Sequence, residues 1–354
     1  MLFLKFAKLT DCRCSTGQNP TGSTLSVERK KGIYNLCQKY DVIIIEDEPY
    51  WHLQYPSVMK STPSSPNYSI HKKSSGYNFL DSLVPSYLSM DVDGRVIRLD
   101  TFSKTIAPGC RLGWITAQPA IVERLTRISE TSTQQPSGFV QSMVAELLLG
   151  QSSDSSASSQ STPHERNWKM DGWIRWLEGL RGGYERRMAT MCHILDEGTH
   201  TILDSNSHSQ TDELDTWEII TKTQMYSFVW PAGGMFVWLK ACLENHPLRS
   251  KYPLEKLSKA LWVHLTRKPH LCLVCPGSMF AATEKAMEKS VLYMRLCFAP
   301  MSEEDVDGVS RRLVEGFRAF WARKDLDGLD GDDEVERMEA LRLEGTANLT
   351  LLGC

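Results

Sequence analysis

The sequence predicts an α/β protein whose larger part is a doubly wound, mostly parallel sheet, followed by a smaller C-terminal α+β domain. Three observations carry this. Residues 41–46 (DVIIIE) are a continuous apolar, β-branched run that ends in an acid, as in a strand buried on both faces of a parallel sheet. Helix-like and strand-like segments alternate up to about residue 150, the order that gives βα layers. A nearly pure polar stretch at 151–163 (QSSDSSASSQSTP) then separates two differently patterned halves.

The elements follow in order. Residues 24–40 have helical pattern behind a Ser/Thr cap, and the strand 41–46 comes next. Residues 96–99 and 112–116 read as two more short strands, and 119–129 as a helix. Residues 56–76, rich in Ser and Pro, read as a poorly ordered surface insertion. Beyond the Ser-rich stretch, 168–197 is helix-like, although Gly172, Gly179, Gly182 and Gly183 weaken it. GGMFVWL, a helix over 254–266, LCLVC, LYMRLCFAP and a last amphipathic helix complete the second half. The expected divisions are a partial large domain at 1–150, a linker at 151–165, an interdomain helix with a small domain at 166–323, and an acidic tail at 324–354.

Composition narrows the function. The 354 residues are 41% hydrophobic and 23% charged, an ordinary globular balance with length for two domains. The formal charge is -3 and there is no sustained basic run, so nucleic acid and anionic membrane are not expected partners. The opening MLFLKFAKLTDCRC is too short and too interrupted for a signal core or a membrane span, and ten irregularly spaced cysteines suit reduced thiols; both point to the cytosol.

The chemistry-bearing residues sit at the ends of predicted strands, where open α/β sheets bind ligands. Asp47 and Tyr50 follow DVIIIE, and Thr101, Ser103, Lys104, a Pro-Gly turn and Arg111 follow VIRLD. A lysine and an arginine flanked by hydroxyls suit a phosphorylated aldehyde, because arginine pairs with phosphate bidentately and lysine forms a Schiff base. Pyridoxal phosphate is such a ligand, and an aspartate at its pyridine nitrogen would keep the ring an electron sink.

GQNPTG (17–22), EDEPY (46–50), TFSKTIAPGCRLGW (101–114) and YMRLCFAP (293–300), in this order, resemble the signature segments of fold-type-I pyridoxal-phosphate-dependent aminotransferases, nearest the fungal aromatic and 2-aminoadipate branch. The resemblance covers residues 17 to about 321 and implies the aspartate aminotransferase-like fold and, were the family's N-terminal part present, a homodimer. It also implies that Lys104 carries the cofactor and moves the proton at the substrate alpha carbon, and that Asp47 holds the pyridinium. Tyr50 and Asn19 would bond the ring 3-oxygen, and Thr101, Ser103 and Arg111 the phosphate. Arg295, with Asn19, would bind the substrate amino acid or 2-oxo acid, the arginine gripping its carboxylate in a fork that lysine cannot reproduce. The family also has an N-terminal stretch with a Gly-rich phosphate turn and a ring-stacking aromatic. Nothing in residues 1–18 resembles it, so the sequence reads as N-terminally truncated, with weak cofactor binding expected. The rivals are a non-catalytic remnant, another fold-type-I lyase or decarboxylase, and a regulator domain, which would need a basic module.

Two motifs are discounted. Cys272 and Cys275 have CxxC spacing, but LCLVC reads as a strand, so they are expected to be core thiols and no metal is assigned. The tail from Asp325 begins like a calcium loop, yet Leu329 and Asp330 stand where an oxygen ligand and a glycine are needed.

Overall fold

The computed structural model describes residues 14–61, 74–149, 169–203 and 221–329. These form two compact units, one comprising the chain to Gly183 with Pro231–Gly234, the other Tyr184–Trp230 with the chain from Met235. The expected linker at 151–165 and the tail from 330 lie outside the described residues.

In the first unit, α1 (Val27–Lys39) starts at Ser26, whose hydroxyl accepts the Arg29 N–H and caps the helix. Val27, Lys30, Tyr34 and Cys37 recur every three or four positions and form its buried face. Tyr34 and Cys37 pack with Ile44 of β1 (Ile44–Asp47) and Val96 of β2 (Val96–Thr101). β1 and β2 are parallel, with Asp47 opposite Leu99, so both end at the same sheet edge. β3 (Gly113–Thr116) completes the order β1-β2-β3 but runs antiparallel to β2. The mostly parallel expectation does not extend to it, because the link from Phe102 to Leu112 is too short for a crossover.

Residues 56–61, expected to be poorly ordered, instead form α2 (Pro56–Ser61). Pro56 fits a first helical turn, and Tyr55, fully buried, anchors it by bonding its hydroxyl to the Gly234 carbonyl. Residues 62–73 of that insertion lie outside the described residues. Next come α3 (Asn78–Asp81), α4 (Pro119–Thr131) and α5 (Gly138–Leu149). The long helix α6 (Lys169–Glu197) is unbroken, and the division between units falls inside it, at Gly183. Its glycines cost about 1 kcal/mol each. Burial of Trp173, Ile174 and Leu177 in the first unit and Met188, Met191 and Leu195 in the second offsets this, at about 1.5–3 kcal/mol per large apolar side chain.

The second unit holds a two-stranded antiparallel sheet of β4 (His200–Leu203) and β5 (Thr221–Gln224). Its antiparallel sheet has the order β6-β7-β9-β8, from β6 (Tyr226–Phe228), β7 (Phe236–Ala241), β8 (Cys275–Pro276) and β9 (Tyr293–Cys297). Three helices accompany it: α7 (Leu254–Thr266), α8 (Glu284–Ser290) and the amphipathic α9 (Asp305–Trp321). The strand expected at 271–275 is not there; only Cys275 and Pro276 pair with β9. Leu271 sits at φ 50°, and the Cys272 N–H bonds the Leu265 carbonyl at the end of α7, which takes this stretch out of any ladder. Cys272 and Cys275 are both buried thiols. Among the described residues no helix is long and apolar enough to cross a membrane.

Candidate active site

Because β1 and β2 are parallel, their carboxyl ends bring two sequence segments to one edge. Asp47 is the last residue of β1, and Tyr50 follows in a turn, buried. Lys104 lies in the turn after β2, closed by Thr105 and Ile106 N–H bonds to the Phe102 carbonyl. Its amine stands 6.0 Å from the Tyr50 ring centroid, so the two segments meet here.

The same turn gathers hydroxyls and a guanidinium. Thr101 donates to Ser103 Oγ at 3.0 Å, and the Ser103 N–H donates to Thr101 Oγ1 at 3.1 Å. Arg111 reaches Ser103 Oγ at 3.5 Å and the Pro108 carbonyl at 3.4 Å, both long contacts that leave an exposed guanidinium able to take an anion. Arg111 itself has φ 46° and ψ 37°, a left-handed conformation unusual outside glycine. That reversal returns the chain so that the Phe102 N–H bonds the Leu112 carbonyl at 3.0 Å, and the arginine is held over the Ser103 turn.

Asp47 is half-buried, and burial first, then the nearby charge of Asp100, holds its carboxyl above the usual aspartate range. Among the described residues no lysine or arginine pairs with it. Asp100 is engaged by Arg98 through two contacts of 2.8 Å, and Arg98 lies 4.5 Å over the Trp51 ring. Asn19 is exposed in the turn before α1, where Gln18 receives the Thr21 N–H at 3.1 Å and the Gly22 N–H bonds the Gln18 carbonyl at 2.6 Å. Arg295 belongs to the second unit, on β9, where it is buried with its guanidinium 4.4 Å from the Phe236 ring and 4.9 Å from the Phe280 ring.

Sequence reasoning missed the supports of this edge. Gly17 and Gly234 press together so closely that a Cβ on Gly17 would lie 2.3 Å from the Gly234 nitrogen. Both have positive φ, a need that glycine meets without strain. Also missed were Ser15, Lys30 and Glu48, buried beneath the end of β1. The Gly-Gly pair and the acid after Asp47 were visible signals; Lys30 gave none beyond its place on the apolar face of α1. Among the described residues no group of three or more His, Cys, Asp or Glu side chains could hold a metal.

Comparison with known proteins identifies the family. The family model for aminotransferase class I and II matches residues 15–313. An aromatic amino acid aminotransferase of Schizosaccharomyces pombe is 39% identical over 225 residues, 64% of this chain and 38% of that protein. Aromatic amino acid aminotransferase 2 of Saccharomyces cerevisiae is 35% identical over 310 residues, 87% of this chain and 55% of that protein. The crystal structure of the aminotransferase Aro8 from Candida albicans superposes with a TM-score of 0.65 at 32% identity, covering 87% of this chain and 57% of that one. The chain thus spans between about two fifths and three fifths of the length of these relatives. With the fold, the motif order and a family match over most of its length in agreement, the chain belongs to the class I and II aminotransferases.

Proposed function

We propose that this chain is a pyridoxal-phosphate-dependent aminotransferase polypeptide that passes an amino group from an aromatic or related L-amino acid to a 2-oxo acid. The observation that carries the reading is the single sheet edge at which Lys104, the Thr101–Ser103–Arg111 cluster and Asp47 are gathered. The donor set fits the cofactor: hydroxyls, an N–H and an open guanidinium for a phosphate, an amine for an aldehyde, and a half-buried acid for a ring nitrogen. When bound, the cofactor supplies an electron-withdrawing ring that stabilises negative charge at the substrate alpha carbon.

The chain's own groups do the rest. Thr101, Ser103 and Arg111 would hold the phosphate, and the Lys104 amine would hold the aldehyde end of the cofactor. The Lys104 amine would also be the group that takes and returns the alpha-carbon proton. Asp47 keeps a proton on the ring nitrogen; its raised carboxyl is an acid short of a cation, and a pyridinium supplies one. Tyr50 and Asn19 are assigned the ring 3-oxygen on the resemblance. Arg295 is assigned the substrate carboxylate, a role supported by aromatic faces that pre-order its fork.

The reading includes a homodimer and a cytosolic location. Large apolar side chains exposed on the first unit, among them Trp114, Ile128, Phe139 and Met143, support further assembly. Unpaired thiols at Cys14, Cys37 and Cys110 support a reducing compartment. The test is turnover of L-tyrosine with 2-oxoglutarate by the cofactor-loaded chain, abolished in Lys104→Ala; turnover that survives this substitution overturns the reading.

A further inference from the structure

A buried cluster of charge underlies the candidate site. By strand alternation Glu46 and Glu48 point to the face opposite Asp47, and both are buried. Lys30 of α1, fully buried, lies 3.8 Å from Glu46 and donates to the Pro85 carbonyl at 2.9 Å. Glu46 also accepts from the Ser86 hydroxyl and from the Tyr87 N–H at 2.7 Å. Arg98 of β2 is committed to Asp100. Lys30 and Arg98 are thus two cations among three acids, Glu46, Glu48 and Asp100, and Lys30 acts on both Glu48 and Glu46. Because Glu46 also has the Ser86 and Tyr87 hydrogen bonds and Asp100 has Arg98, Glu48 is the acid left least satisfied. Tyr87 and Cys14 also face the cluster, but burial pushes both their ionisations up, so they add no charge.

One oxygen of Glu48 receives the Ser15 hydroxyl, and the other is buried with no hydrogen-bond partner among the described residues. A lone ionised carboxylate is costly there, whereas a neutral acid is tolerated. Burial raises the Glu48 carboxyl to about 7, with Lys30, Ser15 and Arg98 opposing and Glu46 adding to the rise. The segment that meets it, Ser15 and Thr16, is itself buried and leads directly into the turn that holds Asn19.

We propose that Glu48 is a positioning residue that, in its protonated form, keeps the turn carrying Asn19 closed onto the strand end carrying Asp47, so that losing its proton frees that turn to open. The role at the cofactor rests on the function proposed above; the closure itself does not. An ionised Glu48 gains by hydration, and water reaches it when the Ser15–Thr16 segment lifts. The Ser15 hydrogen bond resists this, since a hydroxyl donates more strongly to a carboxylate, but it satisfies only one oxygen. The sign follows from linkage. In the open state the carboxyl returns to the ordinary glutamate value, so above it the closed state holds a proton that the open state has released. Opening then becomes easier as pH rises toward the folded value and levels off beyond it.

Hydrogen exchange followed by mass spectrometry on the full chain without cofactor, corrected for intrinsic exchange, tests the closure. Between about pH 6 and about pH 8, amides of residues 15–22 should open about tenfold more readily in the parent chain. Glu48→Gln keeps an acceptor and cannot ionise, so its opening should not change with pH. Ser15→Ala, which leaves the strand intact should Glu48→Gln fold poorly, should raise opening at both pH values. Exchange at 15–22 that is the same in all three chains, or a pH response retained in Glu48→Gln, overturns the proposal. In parallel, pyridoxal phosphate titration should show affinity falling with pH more steeply in the parent than in Glu48→Gln. Equal slopes beside the expected exchange would overturn the role at the cofactor while leaving the closure, and no attachment in any chain would count against the proposed function alone.

Discussion

Replacing Lys30 by Met tests whether buried charge organises the first unit. The lysine is fully buried, stands 3.8 Å from Glu46 and lies 5.4 Å over the Tyr87 ring. Met fills much the same volume, so packing changes little. The loss falls on Glu46, which keeps its Ser86 and Tyr87 hydrogen bonds but loses its counter-charge, since Arg98 is already paired with Asp100. Removing one partner of a buried ion pair costs about 3–5 kcal/mol, while replacing both partners is often neutral. Lys30→Met alone should therefore destabilise the first unit by about 3–5 kcal/mol, and Lys30→Met with Glu46→Gln should recover most of it, a coupling of about 2–3 kcal/mol. Denaturant-dependent hydrogen exchange at the amides of β1 and β2 isolates this unit from the second, whose unfolding need not coincide. A single variant within about 1 kcal/mol of the parent, or a double variant no better than the single, would refute the argument.

Two further outcomes are expected. Gly17→Ala forces a Cβ to 2.3 Å from the Gly234 nitrogen at φ +58° and should cost about 2–4 kcal/mol from the left-handed conformation and overpacking together, read by urea unfolding; a loss below about 1 kcal/mol would show that the two glycine segments part easily. Arg295→Lys should raise KM for every amino acid substrate by about 10- to 100-fold, as expected for a lost carboxylate fork worth about 1.5–3 kcal/mol; an effect confined to one side-chain class would mean that Arg295 reads the side chain.

What the sequence showed and hid follows from how local each cause is. The strands around Ile44 and Val96 were legible because a β-branched run between polar residues has few other uses, and α1 because its cap and apolar spacing are local. The placement of Asp47, Tyr50, Lys104 and Arg111 at or just after strand ends was legible because the strands before them were. The antiparallel direction of β3 could have been read from the short link before it. Leu271–Cys275 has strand composition but is bent by Leu271 and tied to the end of α7, a tertiary effect with no sequence signal. The network of Lys30, Glu46 and Glu48 was hidden because lysine and glutamate usually mark solvent, and their partners come from α1, β1 and the loop at Ser15.

Covalent trapping tests the proposed attachment of the cofactor at Lys104. The chain is incubated with pyridoxal phosphate, reduced with sodium borohydride, digested and mapped by peptide mass spectrometry. One dominant phosphopyridoxyl adduct is expected, on the peptide containing Thr101, Phe102, Ser103 and Lys104, and should be lost in Arg111→Ala at limiting cofactor. Label on other lysines with none on Lys104 would contradict it.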